Sequence, residues 1–221
     1  MIIKPKLQLQ AGDRILFIGD SVTDARRDRL NSQPSKPMAM GEGYAFAAAA
    51  ELAYKYPEKG FSFYNRGING NKLLHLEKRW QADCLDLKPT VISLLVGIND
   101  YSLAYSQKGV GDPKQFDRDF RSLLQRTWTA LPDVRFILGE PFCFKGAREK
   151  IDQFIPDFYS YQAVVRQIAE DFGVVYVPYQ QVFDQAIVHA SPLYYSSDGV
   201  HPALPGIDLM AQAWLDHVEI T

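Results

Sequence analysis

This 221-residue chain has only two cysteines and four histidines. Cys84 and Cys143 are too few for a disulfide framework and read as two free thiols. Beside four scattered histidines they do not suggest a structural zinc site, and no metal or cofactor is expected. Runs of Lys or Arg are missing and the formal net charge is −2, which argues against general nucleic-acid binding. No apolar run approaches the ~20 residues of a membrane helix. The opening Met1-Ile2-Ile3-Lys4-Pro5-Lys6 lacks the apolar stretch of a signal peptide, so a cytoplasmic location is expected. Low-complexity tracts and internal repeats are lacking too.

What is present is a regular alternation of strand and helix signals. Five segments read as strands: Arg14–Gly19, Phe61–Asn65, Thr90–Val96, Val134–Leu138 and Gly173–Val177. Thr90–Val96 is apolar almost throughout, as expected of a central strand buried on both faces. The Ala-rich stretch Tyr44 to Tyr56 and the segment Leu73 to Leu87 read as helices. Asp112-Pro113 reads as an N-cap followed by proline at the first helical position, with Gln115 placed for a capping box. Behind it Phe116, Phe120, Leu123 and Thr127 recur at helical spacing. Pro156 opens a further predicted helix with Phe158, Tyr161, Val165, Ile168 and Phe172 on one face; a last helix carries Ile207, Met210, Trp214 and Val218.

Such alternation predicts an α/β fold of three layers, α/β/α, around a five-stranded parallel sheet, within a single domain spanning residues 1–221. With right-handed crossovers and a flavodoxin-like strand order 2-1-3-4-5, a site is expected beyond the carboxyl ends of the first and third strands.

Four segments fall at that edge: Gly19-Asp20-Ser21-Val22-Thr23-Asp24, Asn65-Arg66-Gly67-Ile68-Asn69-Gly70-Asn71, Val96-Gly97-Ile98-Asn99-Asp100 and Asp198-Gly199-Val200-His201-Pro202. Their chemistry is complementary. A serine hydroxyl attacks an ester only when a base takes its proton, and histidine suits that task near neutral pH. A carboxylate must then orient the ring, and Asp198 lies three residues before His201. The backbone N–H groups of Ser21 and Gly67 and the side-chain amide of Asn99 are candidate donors to the oxyanion. Taken singly, each segment reads as a turn, a cap or a surface histidine; together, in this order and at strand ends, they favour catalysis.

The four segments resemble the sequence blocks of the SGNH (GDSL-type) hydrolases, a family named for the Ser, Gly, Asn and His that Ser21, Gly67, Asn99 and His201 match. The tetrapeptide reads Gly19-Asp20-Ser21-Val22, with Val where the family has Leu. Within the family the chain is most similar to bacterial acetylxylan esterases, a likeness carried by Asn65–Asn71, Lys78-Arg79-Trp80 and Gly97–Asp100. The resemblance implies a metal-free serine esterase that deacetylates xylo-oligosaccharides or other carbohydrates, with Ser21, Asp198 and His201 as triad. It allows a homo-oligomer and implies neither a nucleic-acid nor a membrane partner. A lipase, thioesterase or lysophospholipase on the same triad, or a carbohydrate-binding relative without turnover, are the alternatives.

Other residues receive weaker assignments. Asp20, Tyr101 and Tyr195 are candidate substrate contacts, although Asp20, Asp100 and Arg66 are also placed to brace loops. Tyr101, Tyr105, Phe142, Phe144, Tyr194 and Tyr195 could line a sugar cleft, or serve as hydrophobic cover or a subunit interface. His75 and His189 lack a nearby carboxylate in the pattern, and His217 sits near the end of the last helix, away from the expected site; all three read as structural or solvated. Gly41-Glu42-Gly43-Tyr44-Ala45-Phe46 is a broken GxGxxG that follows no strand, which speaks against a dinucleotide site.

Overall fold

The structure, a computed structural model, describes residues 6–106, 111–153 and 155–221. In chain order its elements are β1 (Leu7–Leu9), β2 (Arg14–Gly19), α1 (Ser21–Asp24), α2 (Pro37–Met40), α3 (Tyr44–Lys55), β3 (Ser62–Asn65), α4 (Leu73–Asp83), β4 (Val91–Leu95) and α5 (Ile98–Ser106). There follow α6 (Pro113–Ala130), β5 (Arg135–Gly139), α7 (Glu149–Asp152), α8 (Ile155–Phe172), β6 (Val175–Val177), α9 (Tyr179–Ala186), α10 (Pro192–Tyr195), α11 (Leu204–Leu215) and β7 (Val218–Ile220).

Five strands form one parallel sheet in the order β3-β2-β4-β5-β6, the expected arrangement. The period-two geometry of a strand divides its side chains between two cores. Along β2, Ile15 and Phe17 join the core under α3, α9 and α11, whereas Leu16 and Ile18 join the core under α4, α6 and α8. β4 does the same: Val91 and Leu95 face one side, Ile92 and Leu94 the other. Ser93 is the polar exception in this strand, buried and accepting a hydrogen bond from the indole of Trp214 on α11 at 3.0 Å.

The helices follow their apolar stripes. On α6, Phe116, Phe120, Leu123 and Thr127 are all buried. Asp112 caps that helix by accepting from the Gln115 N–H at 2.9 Å, a contact worth about 1 kcal/mol. The Gln115 side chain turns along the helix rather than back into a capping box: its oxygen accepts from Arg118 and its NH2 donates to Asp119. Pro156 lies in the first turn of α8, where a missing N–H costs nothing.

The sequence reading missed several elements, β1, β7 and α9 among them. β1 and β7 pair in parallel as a separate two-stranded sheet, Leu7 against Val218 and Leu9 against Ile220. Val218 is therefore a strand residue, since α11 stops at Leu215, and Ile207 is only half-buried. Among the described residues, no helix is long and apolar enough to cross a membrane.

Candidate active site

Parallel strands end together, and the register of β2 on β4 places Gly19 beside Leu95. The chain leaving β2 turns at once into α1, whose N-cap is Asp20 and whose first residue is Ser21. The Asp20 carboxyl accepts from the Val22 N–H at 3.0 Å. Burial pushes its pKa up to about 7 against the pull of that bond; Asp100 raises it further and His201 lowers it. Gly67, just beyond β3, passes so close to α1 that a Cβ there would lie 2.2 Å from the Asp24 nitrogen.

Opposite Ser21 comes the turn between α10 and α11. The Nε2 of His201 stands 2.7 Å from the Ser21 Oγ, and its Nδ1 stands 2.6 Å from the Asp198 Oδ2. The other carboxylate oxygen of Asp198 accepts from the Val200 N–H at 2.9 Å and the His201 N–H at 2.8 Å. Burial alone would raise the Asp198 pKa, but the His201 ring and these backbone donors outweigh it and hold the carboxyl at about 2. A carboxylate can only accept, so Nδ1 of His201 carries the ring proton and Nε2 presents its lone pair to the Ser21 hydroxyl.

The three expected oxyanion donors stand in different states. Ser21 N–H is at the start of a helical turn, where no intrahelical acceptor exists for it. Gly67 N–H is donated to the Asn65 Oδ1 at 2.8 Å. The Asn99 amide is half-buried and gives one hydrogen to the Asn71 carbonyl at 3.1 Å.

Ser21, Asp198 and His201 open onto a cavity of about 740 Å³. Its exposed rim is polar and includes Arg26, Arg29, Glu42, Asn69 and Ser197. A larger cavity, about 1010 Å³, lies away from these residues between α8 and α9.

The model of the GDSL-like lipase/acylhydrolase family matches residues 17–207. The chain belongs to that family. The acetylxylan esterase of Geobacillus stearothermophilus is 32% identical over 96% of both chains. Its solved structure, Axe2, superposes with a TM-score of 0.84 at 33% identity, covering 94% of each chain. A GDSL-like lipase from Parabacteroides merdae gives a TM-score of 0.92 at 38% identity, covering 96% of this chain and 98% of that one. The protein is thus a GDSL-type carboxylic ester hydrolase related to acetylxylan esterase.

Three residues expected to touch substrate do not line the cavity of this hydrolase. Asp20 is buried as a helix cap. Tyr101 is buried with its ring against Phe158 and Tyr161. Tyr195 is buried and donates its hydroxyl to the Ala186 carbonyl at 3.1 Å. Phe142 and Phe144 pack on Phe183 in the core, so the hydrophobic-cover reading holds for them; Tyr194 is exposed, and the Tyr105 side chain lies outside the described residues.

The remaining histidines stay out of the esterase cavity. His75 accepts from the Lys72 N–H at the start of α4, and the His217 ring donates to the Ala213 carbonyl. His189 is exposed. Asp100 braces the start of α4 by accepting from the Leu73 N–H at 3.1 Å. Arg66 is buried and donates to the Asn65 and Ser32 carbonyls.

One supporting residue went unassigned in the sequence. Asn65 donates to the Thr23 and Met40 carbonyls at 2.6 and 2.7 Å while accepting from Gly67, so one side chain joins β3 to the Ser21 turn. An asparagine ending a buried strand two residues before a glycine was the available signal.

Proposed function

We propose that this hydrolase removes acetyl groups from xylo-oligosaccharides or other acetylated carbohydrates, within one SGNH-type domain, using Ser21 as nucleophile, His201 as base and Asp198 as the acid of the triad. The observation that carries this reading is the unbroken chain from Ser21 Oγ to His201 Nε2 at 2.7 Å and from His201 Nδ1 to Asp198 Oδ2 at 2.6 Å. Two variants of Axe2 described as catalytic mutants, one Ser to Ala and one His to Ala, lend support, since the replaced pair has nearly the sequence separation of Ser21 and His201.

In this reading His201 Nε2 takes the Ser21 proton as Oγ attacks the ester carbonyl. Ser21 N–H, Gly67 N–H and the second hydrogen of the Asn99 amide are assigned to the tetrahedral oxyanion, so the Gly67 N–H must share or exchange its Asn65 partner. Collapse breaks the bond to the sugar oxygen, which leaves with the proton held on His201. Water then gives a proton to the same nitrogen and attacks the acyl-serine, and acetate departs as Ser21 regains its hydrogen. The polar rim suits a sugar, while Val22, Ile207 and Met210 give the lining an apolar part that suits an acyl group, whose length the ester series below decides.

The test is acetate release from acetylated xylo-oligosaccharides together with a chain-length series of aryl esters. Wild type is expected to prefer acetyl and propionyl esters, and Ser21→Ala to lose turnover. Turnover by Ser21→Ala at the wild-type rate would refute the assignment of the nucleophile, and a preference for long chains would favour a lipase.

A further inference from the structure

The Lys78-Arg79-Trp80 segment has no part in the chemistry above, yet its arginine reaches both the end of β2 that leads to Ser21 and the loop after β3 that carries Gly67. Arg79 lies on α4, mostly buried, behind the strand ends. A guanidinium carries five N–H donors in a rigid planar fork. Nη2 donates to the Gly19 carbonyl at 3.2 Å, Nη1 to the Arg66 carbonyl at 2.7 Å, and Nε to the Asn71 Oδ1 at 2.9 Å. Nη1 also meets Asp83 Oδ2 at 2.7 Å, one turn along the same helix, and that pairing fixes the fork.

Each acceptor has a consequence. Gly19 is the last residue of β2, two before Ser21. The Arg66 carbonyl belongs to the same planar trans peptide as the Gly67 N–H, so holding the oxygen sets the direction of the hydrogen. Asn71 receives Arg79 on its side chain and holds the Asn99 amide on its own carbonyl at 3.1 Å. We propose that Arg79 is a positioning residue for catalysis: from behind the site, its guanidinium sets the strand end that carries Ser21 and aims the Gly67 and Asn99 donors. The proposal rests on the reading of Ser21, Gly67 and Asn99 given above.

A lysine cannot reproduce this, because three donors on one nitrogen do not span acceptors at the end of β2 and at two separate points of the β3–α4 loop. The experiment compares wild type, Arg79→Lys and Arg79→Ala on 4-nitrophenyl acetate, with folding checked by circular dichroism and melting. Because small misplacements of oxyanion donors cost one to three orders of magnitude in rate, kcat of Arg79→Ala is expected to fall about 100-fold. KM should stay within about threefold, since no substrate contact is removed. Arg79→Lys should recover little. Guanidinium or ethylguanidinium at tens of millimolar should raise kcat of Arg79→Ala about tenfold or more and leave wild type unchanged.

A folded Arg79→Lys with wild-type kcat would overturn the proposal, and so would a loss confined to KM or one that guanidinium fails to relieve. If Arg79→Ala does not fold, the kcat of Arg79→Lys decides the matter. A wild-type protein inert toward the ester, and unlabelled at Ser21 by a fluorophosphonate, would sink the underlying reading and this proposal with it.

Discussion

Asp198 grips His201 twice, taking the ring N–H on one oxygen at 2.6 Å and the backbone N–H on the other at 2.8 Å. The two bonds come from one three-residue turn, so the carboxylate fixes the ring's tautomer and the loop's shape together.

Asparagine at this position separates those two tasks. In Asp198→Asn the amide oxygen can keep the backbone bonds, while its NH2 faces the ring. Nδ1 must then accept, which moves the ring proton to Nε2 and removes the base from Ser21. Turnover of 4-nitrophenyl acetate is expected to fall about ten-thousand-fold, with little change in melting temperature. Near-normal turnover would show that Asp198 does not orient the base.

Asp20 makes stability depend on pH in a direction opposite to that of a paired carboxylate. Its folded pKa lies at about 7 against an ordinary 3.8, because burial disfavours the charge. The penalty is nil below about pH 4, grows as the unfolded chain ionises, and is complete above about pH 7. Asp20→Asn keeps a capping oxygen without the charge. Its melting temperature relative to wild type should rise between pH 4 and pH 8; a difference that stays flat or falls over that range would contradict the account.

Gly67 has no room for a side chain. A Cβ there would fall 2.2 Å from the Asp24 nitrogen and 2.6 Å from the Thr23 carbonyl carbon, both backbone atoms. Gly67→Ala is expected to cost about 3 kcal/mol or more in urea unfolding, since α1 and the loop after β3 must separate.

Cys84 and Cys143 are both buried and free, and burial pushes both thiols up, Cys143 to about 12. The reactive species is the thiolate, which buried apolar surroundings suppress. Native protein should react slowly with a thiol-specific disulfide reagent and release two equivalents once denatured. Rapid reaction of the native protein would mean that one thiol is reached by local opening.

Much of this was legible in the sequence because the responsible signals are local. The apolar run around Ile92 announces a central strand, and Asp112-Pro113 announces a helix start, with little help from tertiary contacts. The catalytic candidates were legible because each sits at a strand end or just before a helix. What escaped depends on partners far away in the chain. Leu7–Leu9 and Val218–Ile220 are three residues each and make a sheet only by meeting one another. Tyr101 and Tyr195 looked like loop aromatics free to stack on sugar, because sequence does not show that Phe158 and the Ala186 carbonyl already occupy them. Arg79 passed as a family signature until three carbonyl and amide oxygens were seen to converge on it.

The serine in the middle of β4 bears on all of this. Every residue of that strand is buried, so oiliness alone would let the last helix settle a step too deep or too shallow. Ser93 offers the Trp214 indole a single matching notch. Since α11 begins three residues beyond His201, that notch anchors to the central strand the helix that follows the proposed base, and in the proposed mechanism it helps hold the imidazole in place beside the Ser21 hydroxyl.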